Sequence, residues 1–211
     1  PVTDWLNYMK ADLGVADMLG QISLLDGHFD FVSQGTEADN EIDAVAYQIP
    51  VPEGQACKNP TCRRVFGVFG PSWDHRQLGH DTHLALGSMF SRVPLSPFKQ
   101  LQTIMRKGLA VDAEGKSVYT DDEAARRLAL PISFLSGATN HIFSPESGQR
   151  TRLWLSEHNG ASLYRQRIIP DYGHMDLFIG RNAHRDVTPW ILEELERLDQ
   201  KAGTGADRKT A

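Results

Sequence analysis

This sequence of 211 residues predicts an α/β arrangement in its carboxyl-terminal part, preceded by a mainly helical region. Three observations predict it. PISFLSG, residues 131–137, is a compact apolar run opened by a proline and closed by a glycine, as expected of a strand buried on both faces in a parallel sheet. From there to residue 198 strand-like and helix-like segments alternate, the order of α/β units with right-handed crossovers. Before residue 125 the apolar residues recur mostly at helical spacing.

Taken in order, Trp5, Leu6, Met9, Leu13, Met18, Leu19 and Ile22 predict two short helices broken at Gly14. HFDFVSQGTEADNEIDAVAYQIPVPEGQ, starting at His28, mixes alternation with polar and Pro/Gly-rich turns and is expected to be extended or irregular connection. Residues 63–90 carry Val65, Phe69, Leu78, Leu84, Leu86, Met89 and Phe90 at turn spacing with four interrupting glycines, so packed short helices are expected. Ser96 as cap, Pro97 in the first turn and Gly108 as stop predict one further helix, and this middle region is expected to be helical throughout. After the first strand, Ser144, Pro145 and Glu146 open a helix that Asn159–Gly160 closes. SLYRQRIIPDYG supplies the second strand and DVTPWILEELERL the final helix, while residues 199–211 are too polar and small to pack.

Charge and composition exclude several classes. The net charge is −5 with signs interspersed, and no basic stripe carries aromatics, which argues against a nucleic-acid partner. No run of about 18 apolar residues is present, so no membrane span is expected. The chain starts at Pro1 rather than Met and is read as a processed or recombinant piece; the compartment stays open, with the cytoplasm favoured. Cys57 and Cys62 are read first as reduced structural thiols, with a local bridge between them as the alternative.

In an open α/β sheet reactive groups gather beyond the carboxyl ends of the strands. The first strand ends in SGATNHIF and the second in PDYGHMD, so Asn140 and His174 should emerge side by side. A histidine held by an amide or carboxylate is half of a nucleophilic triad; the plainer reading is a loop histidine that caps the last helix. Asp176 and Asp171 flank His174 and are possible supporting carboxylates, though such residues more often serve loops and helix starts. DHRQLGHDTHLAL places His80 and His83 three apart with Asp81 and His75 near; this reads as a polar capping cluster, with a transition-metal site as the rival.

CKNPTCRRVFGVFGPSWDHRQLGHDTHLALGSMF, QLQTIMRKG, LPISFLSGATNHIFSPES and IIPDYGHMDLFIGRNAHRDVTPWILEEL, in that order, resemble the C-terminal half of an α/β-hydrolase. The similarity is closest to acid lipases and to the hydrolase domain fused to cholesterol-oxidase-like flavin oxidoreductases of the glucose–methanol–choline type. It implies a helical cap at residues 1–125, a hydrolase core segment with the last two parallel strands and their helices at 126–198, and a flexible tail at 199–211. It also implies that His174 is the general base and Asn140 stands where such hydrolases carry Asp. The resemblance lacks the G-x-S-x-G elbow: GPSWD at Gly70 is a turn in the cap, and Ser136 belongs to a strand end. The expectation is therefore a partial esterase or lipase, inactive alone, whose nucleophile comes from an upstream segment. Exposed strand edges call for that segment or self-association as partner. An apolar acyl or sterol-type ester is the implied substrate, no cofactor or metal is expected in this chain, and FAD would belong only to a fused or partnered oxidoreductase domain. The alternative is a hydrolase-like binding or oligomerisation module without a nucleophile, associated with a flavin sterol oxidase.

Overall fold

The structure, a computed structural model, describes residues 27–206; the two helices expected before Gly27 lie outside the described residues, as do residues 207–211. Strand β1 (His28–Asp30) is followed by helix α1 (Glu37–Gln48), where the sequence predicts irregular chain. The missed signal is a capping box: the Thr36 hydroxyl accepts from Asp39 N–H at 3.1 Å while the Asp39 carboxylate accepts from Thr36 N–H at 3.1 Å. This helix has no strong apolar stripe, which is why its period does not show. Its inward side instead grips Arg64, a residue 1% exposed. The guanidinium donates to Asp43 at 2.6 Å, to the Asp39 carboxylate at 2.8 Å, and to the carbonyls of Asp30 and Asp39 at 2.9 and 3.1 Å.

Arg64 lies on α2 (Pro60–Phe69), which Asn59 opens by accepting from Cys62 N–H at 3.1 Å. Short helices α3 (His80–Leu84) and α4 (Leu86–Met89) follow, as the glycine-broken spacing predicts. The region is not helical throughout, however: β2 (Arg92–Pro94) pairs antiparallel with β1, Phe29 opposite Val93. Phe29, Phe31, Val65, Val68, Trp73, Leu78 and Leu86 form the core between these elements, with Phe31 stacked on Phe69 at 5.5 Å. Helix α5 (Ser96–Lys107) ends as expected on Gly108, whose φ of 72° suits a residue without Cβ, but Ser96 lies inside it and makes no capping bond. Helix α6 (Asp122–Arg127) leads to the second part.

There β3 (Ile132–Gly137), α7 (Pro145–Asn159), β4 (Tyr164–Ile169), α8 (Asp176–Ile179), α9 (Ala183–Asp186) and α10 (Thr188–Ala206) succeed one another. β3 and β4 are parallel, Ile132 opposite Tyr164 and Gly137 opposite Ile169. Alternation sends Ile132 and Phe134 toward Leu155 of α7, and Leu135 toward Val187 and Ile191 near α10, so helices cover both faces. Mixed helix and strand with a small parallel sheet is thus the architecture. β3 is nevertheless only half-buried along most of its length, not sealed as its composition suggests, because β4 is its one neighbour among the described residues. Helix α10 also continues through Ala206, beyond the expected fraying point at residue 199. No described helix is long and apolar enough to cross a membrane.

Candidate functional site

The carboxyl ends of β3 and β4 are laced together by the chain that leaves them. Ala138 N–H donates to Ile169 O at 2.8 Å, and Thr139 donates to Tyr172 O from its amide at 2.9 Å and its hydroxyl at 2.8 Å. Gly137 permits this approach: a Cβ there would lie 2.1 Å from Tyr172 O and 2.2 Å from Gly173 O. On the other side Asp171 takes a φ of 62°, turning the chain back after Pro170. Asn140 and His174 consequently meet, the Asn140 carboxamide nitrogen 3.1 Å from His174 Nδ1.

The polarity of that contact matters more than its existence. Asn140 Oδ1 already accepts from the backbone N–H groups of Ile142 and Phe143, both at 3.0 Å, and this fixes the amide with its NH2 toward the imidazole. An NH2 can only donate, so His174 Nδ1 accepts and the proton of the neutral ring sits on Nε2. A general base needs the opposite tautomer, with Nδ1 protonated and the Nε2 lone pair free. An aspartate in place of Asn140 could take the two amides on one oxygen and Nδ1–H on the other. Burial also lowers the His174 pKa, which favours the uncharged ring.

His174 opens onto a groove of about 230 Å³ lined by Leu135, Asn140, Phe143, Gln166, Leu177 and Phe178. The Phe143 ring centroid is 5.3 Å from the imidazole, and Phe143 and Phe178 are 55% and 70% exposed, an apolar rim on an open surface. Two of the three groove serines direct their hydroxyls elsewhere, Ser136 to Gly137 O at 3.3 Å and Ser147 to Ser144 O at 2.7 Å. Ser72, in GPSWD, is buried in a turn and donates to Gly70 O at 3.3 Å.

The flanking carboxylates serve the loop. Asp176 is fully buried, and its Oδ2 accepts from Gly173 N–H at 2.9 Å and Asp74 N–H at 3.4 Å while Oδ1 has no partner. Burial raises its pKa despite those two bonds, and the nearby Asp74 charge adds to the rise. Asp171 is exposed and offers its backbone carbonyl to Gln77 Nε2 at 2.9 Å. With Met175 N–H donating to Ser72 O at 2.8 Å and Arg181 N–H to Gln77 O at 2.7 Å, residues 72–78 form a cradle for the His174 loop. Nothing local in the sequence announces this cradle, because its partners are about a hundred residues apart.

A second cluster lies beside that cradle. Cys57, Cys62, His75 and His83 bring one Sγ or ring nitrogen each within 4.8 Å of one another. The sequence groups His75 and His83 with His80 and Asp81 and sets the cysteines apart; the fold instead brings Cys57 and Cys62 to the two histidines and leaves His80 and Asp81 exposed. The two thiols are free, and their mutual hydrogen bond drives the Cys57 pKa down and the Cys62 pKa up.

Comparison of the chain with protein-family models, curated proteins and solved structures finds no match.

Proposed function

We propose that this chain is the carboxyl-terminal part of an α/β-hydrolase-like fold and acts as a binding module for an apolar acyl or sterol-type ester. The mainly helical region up to residue 125 corresponds to a cap over the last two core strands in this reading. His174 Nε2–H donates a hydrogen bond to the carbonyl oxygen of the ligand, and Leu135, Phe143, Leu177 and Phe178 receive its apolar part. The observation that carries the reading is the orientation of Asn140, which gives the imidazole a proton to donate where a base requires a lone pair.

Hydrolysis is the second reading, supported by the position of His174 beyond two parallel strand ends. It requires a nucleophile and oxyanion hole from another segment, and rotation of the Asn140 amide away from two backbone N–H groups. In the serine-protease triad, an amide that enforces the wrong tautomer lowers turnover about 10⁴-fold.

The test joins nitrogen NMR of the His174 ring to titration with a medium-chain p-nitrophenyl ester. The expected result is an Nε2–H ring, saturable binding without nitrophenolate release, and conversion to an Nδ1–H ring with a raised pKa in Asn140→Asp. An Nδ1–H ring in the unaltered chain, or nitrophenolate release that His174→Gln abolishes, would overturn the binding reading in favour of catalysis. Absence of saturable binding would remove the binding reading.

A further inference from the structure

We propose that Cys57, Cys62, His75 and His83 form a structural zinc site that staples residues 57–83, independently of what the His174 groove binds. The donor set is two sulfurs and two imidazole nitrogens, the chemistry of a closed tetrahedral zinc centre. Zinc bonds of about 2.3 Å to sulfur and 2.0 Å to nitrogen place tetrahedral ligand atoms roughly 3.3–3.8 Å apart. Cys62 Sγ and His75 Nε2 are 3.3 Å apart, and all four ligand atoms fall within 4.8 Å, so a small inward shift closes the shell.

Three further features are those a metal site needs. The His75 tautomer is set from outside the cluster: Nδ1 lies 2.9 Å from Gln55 Oε1, which can only accept, so Nδ1 carries the proton and Nε2 presents its lone pair toward Cys62. His83 Nε2 is buried without any hydrogen-bond partner, a loss that coordination would cancel. Asn59 locks the two arms together, accepting from Cys62 N–H and donating to His83 O at 2.7 Å. Two thiolates neutralise one divalent cation, so the filled site can sit in the interior without a counter-ion. With four protein ligands no position is left for water or substrate, which makes the role structural rather than catalytic. The four residues come from the loop before α2, α2 itself, the loop after it and α3.

The first experiment is metal analysis of the purified, reduced chain followed by replacement with cobalt. The expected outcome is one equivalent of zinc and, with cobalt, tetrahedral visible bands plus thiolate-to-cobalt charge transfer. His83→Ala should abolish that spectrum, Gln55→Ala should weaken binding by about 10- to 100-fold, and His80→Ala should change neither. Since loss of a ligand can unfold the chain, His83→Cys supplies a folded control, with charge transfer about half again as strong from three thiolates as from two. Failure of the reduced chain to take up zinc or cobalt in one-to-one ratio, or a Cys57–Cys62 disulfide in the metal-free native protein, overturns the proposal. None of these readouts depends on ligand binding at His174.

Discussion

Around Arg64 four acceptors from β1 and α1 converge on one buried guanidinium, and close by lies the cluster of Cys57, Cys62, His75 and His83. Between β3, β4 and their helices the contacts are mostly apolar side chains at strand and helix periods: Ile132, Phe134, Leu155 and Tyr164 on one face, Leu135, Ile169 and Val187 on the other. The first region has core residues too, but its segments are short and its orientation is set by polar geometry. The second is set by layering. Polar geometry tolerates irregular chain yet fails sharply when one group is lost, whereas apolar layers lose stability in proportion to the volume removed.

Arg64→Ala should therefore have the largest effect. It leaves Asp39 and Asp43 facing a buried void without their cation, a defect of about 3–5 kcal/mol. Burial works against the Asp39 carboxylate, yet hydrogen bonds from Thr36 and Arg64 bring its pKa down to about 2, so the ionised form is what would be stranded. Urea unfolding followed by fluorescence of buried Trp73 measures this. Arg64→Met restores much of the volume but not the charge, and its cost should stay close to that of alanine. If methionine recovered most of the loss, packing and not charge would hold the first region, and the contrast between the regions would collapse.

Leu155→Ala makes the matching cut in the layered region. Leu155 is 1% exposed beneath the sheet, and truncation of such a residue costs about 2–5 kcal/mol through lost transfer energy and the cavity left behind. Here a residue of similar volume should rescue: Leu155→Met is expected to cost less than about 1.5 kcal/mol in the same unfolding measurement. A methionine as damaging as alanine would show that shape rather than apolar volume governs this layer.

The same contrast explains what could be read from the sequence. Both parallel strands, α7 and most of α10 follow from apolar runs and from Pro145, Asn159 and Gly160, because layered packing writes itself as a period. α1 does not, since its inward residues include Asp39 and Asp43, and their partner is an arginine 21 residues or more away. β2 has three residues and no period to detect. At the site, Asn140 and His174 were legible as neighbours because each follows a strand end. The direction of their hydrogen bond was not, for it depends on two backbone amides that only the turn at 140–143 brings to Asn140 Oδ1. The cysteine pair and the His75–His83 cluster were each visible, and only the fold joins the two pairs.

Gly137→Ala tests the seam between strand end and site. The added methyl would meet Tyr172 and Gly173 carbonyls, which are backbone and cannot swing aside, so a penalty of about 1–3 kcal/mol is expected. The loop carrying His174 must shift to make room, and the NMR signal of its ring should lose the Nε2–H signature that Asn140 imposes. A variant with an unchanged ring signal would mean that the seam yields elsewhere and does not set the pairing.

Asp176→Asn should have the smallest effect, and its sign depends on pH. Asp176 bridges the two regions by accepting from Gly173 and Asp74 amides, and an asparagine carbonyl can accept from both as well. Burial raises the folded-state pKa of the carboxyl above its unfolded value of 3.8. Between those two values the folded state binds more protons than the unfolded one, so this residue's contribution falls as pH rises through the window and stays low above it. Asparagine carries no such dependence. The variant should therefore be within about 1 kcal/mol of the parent at pH 7, with its relative stability declining as pH is lowered toward 4. The opposite trend, a variant that loses ground as pH rises, would mean that an ionised Asp176 holds the junction. The second region would then share the charged construction of the first.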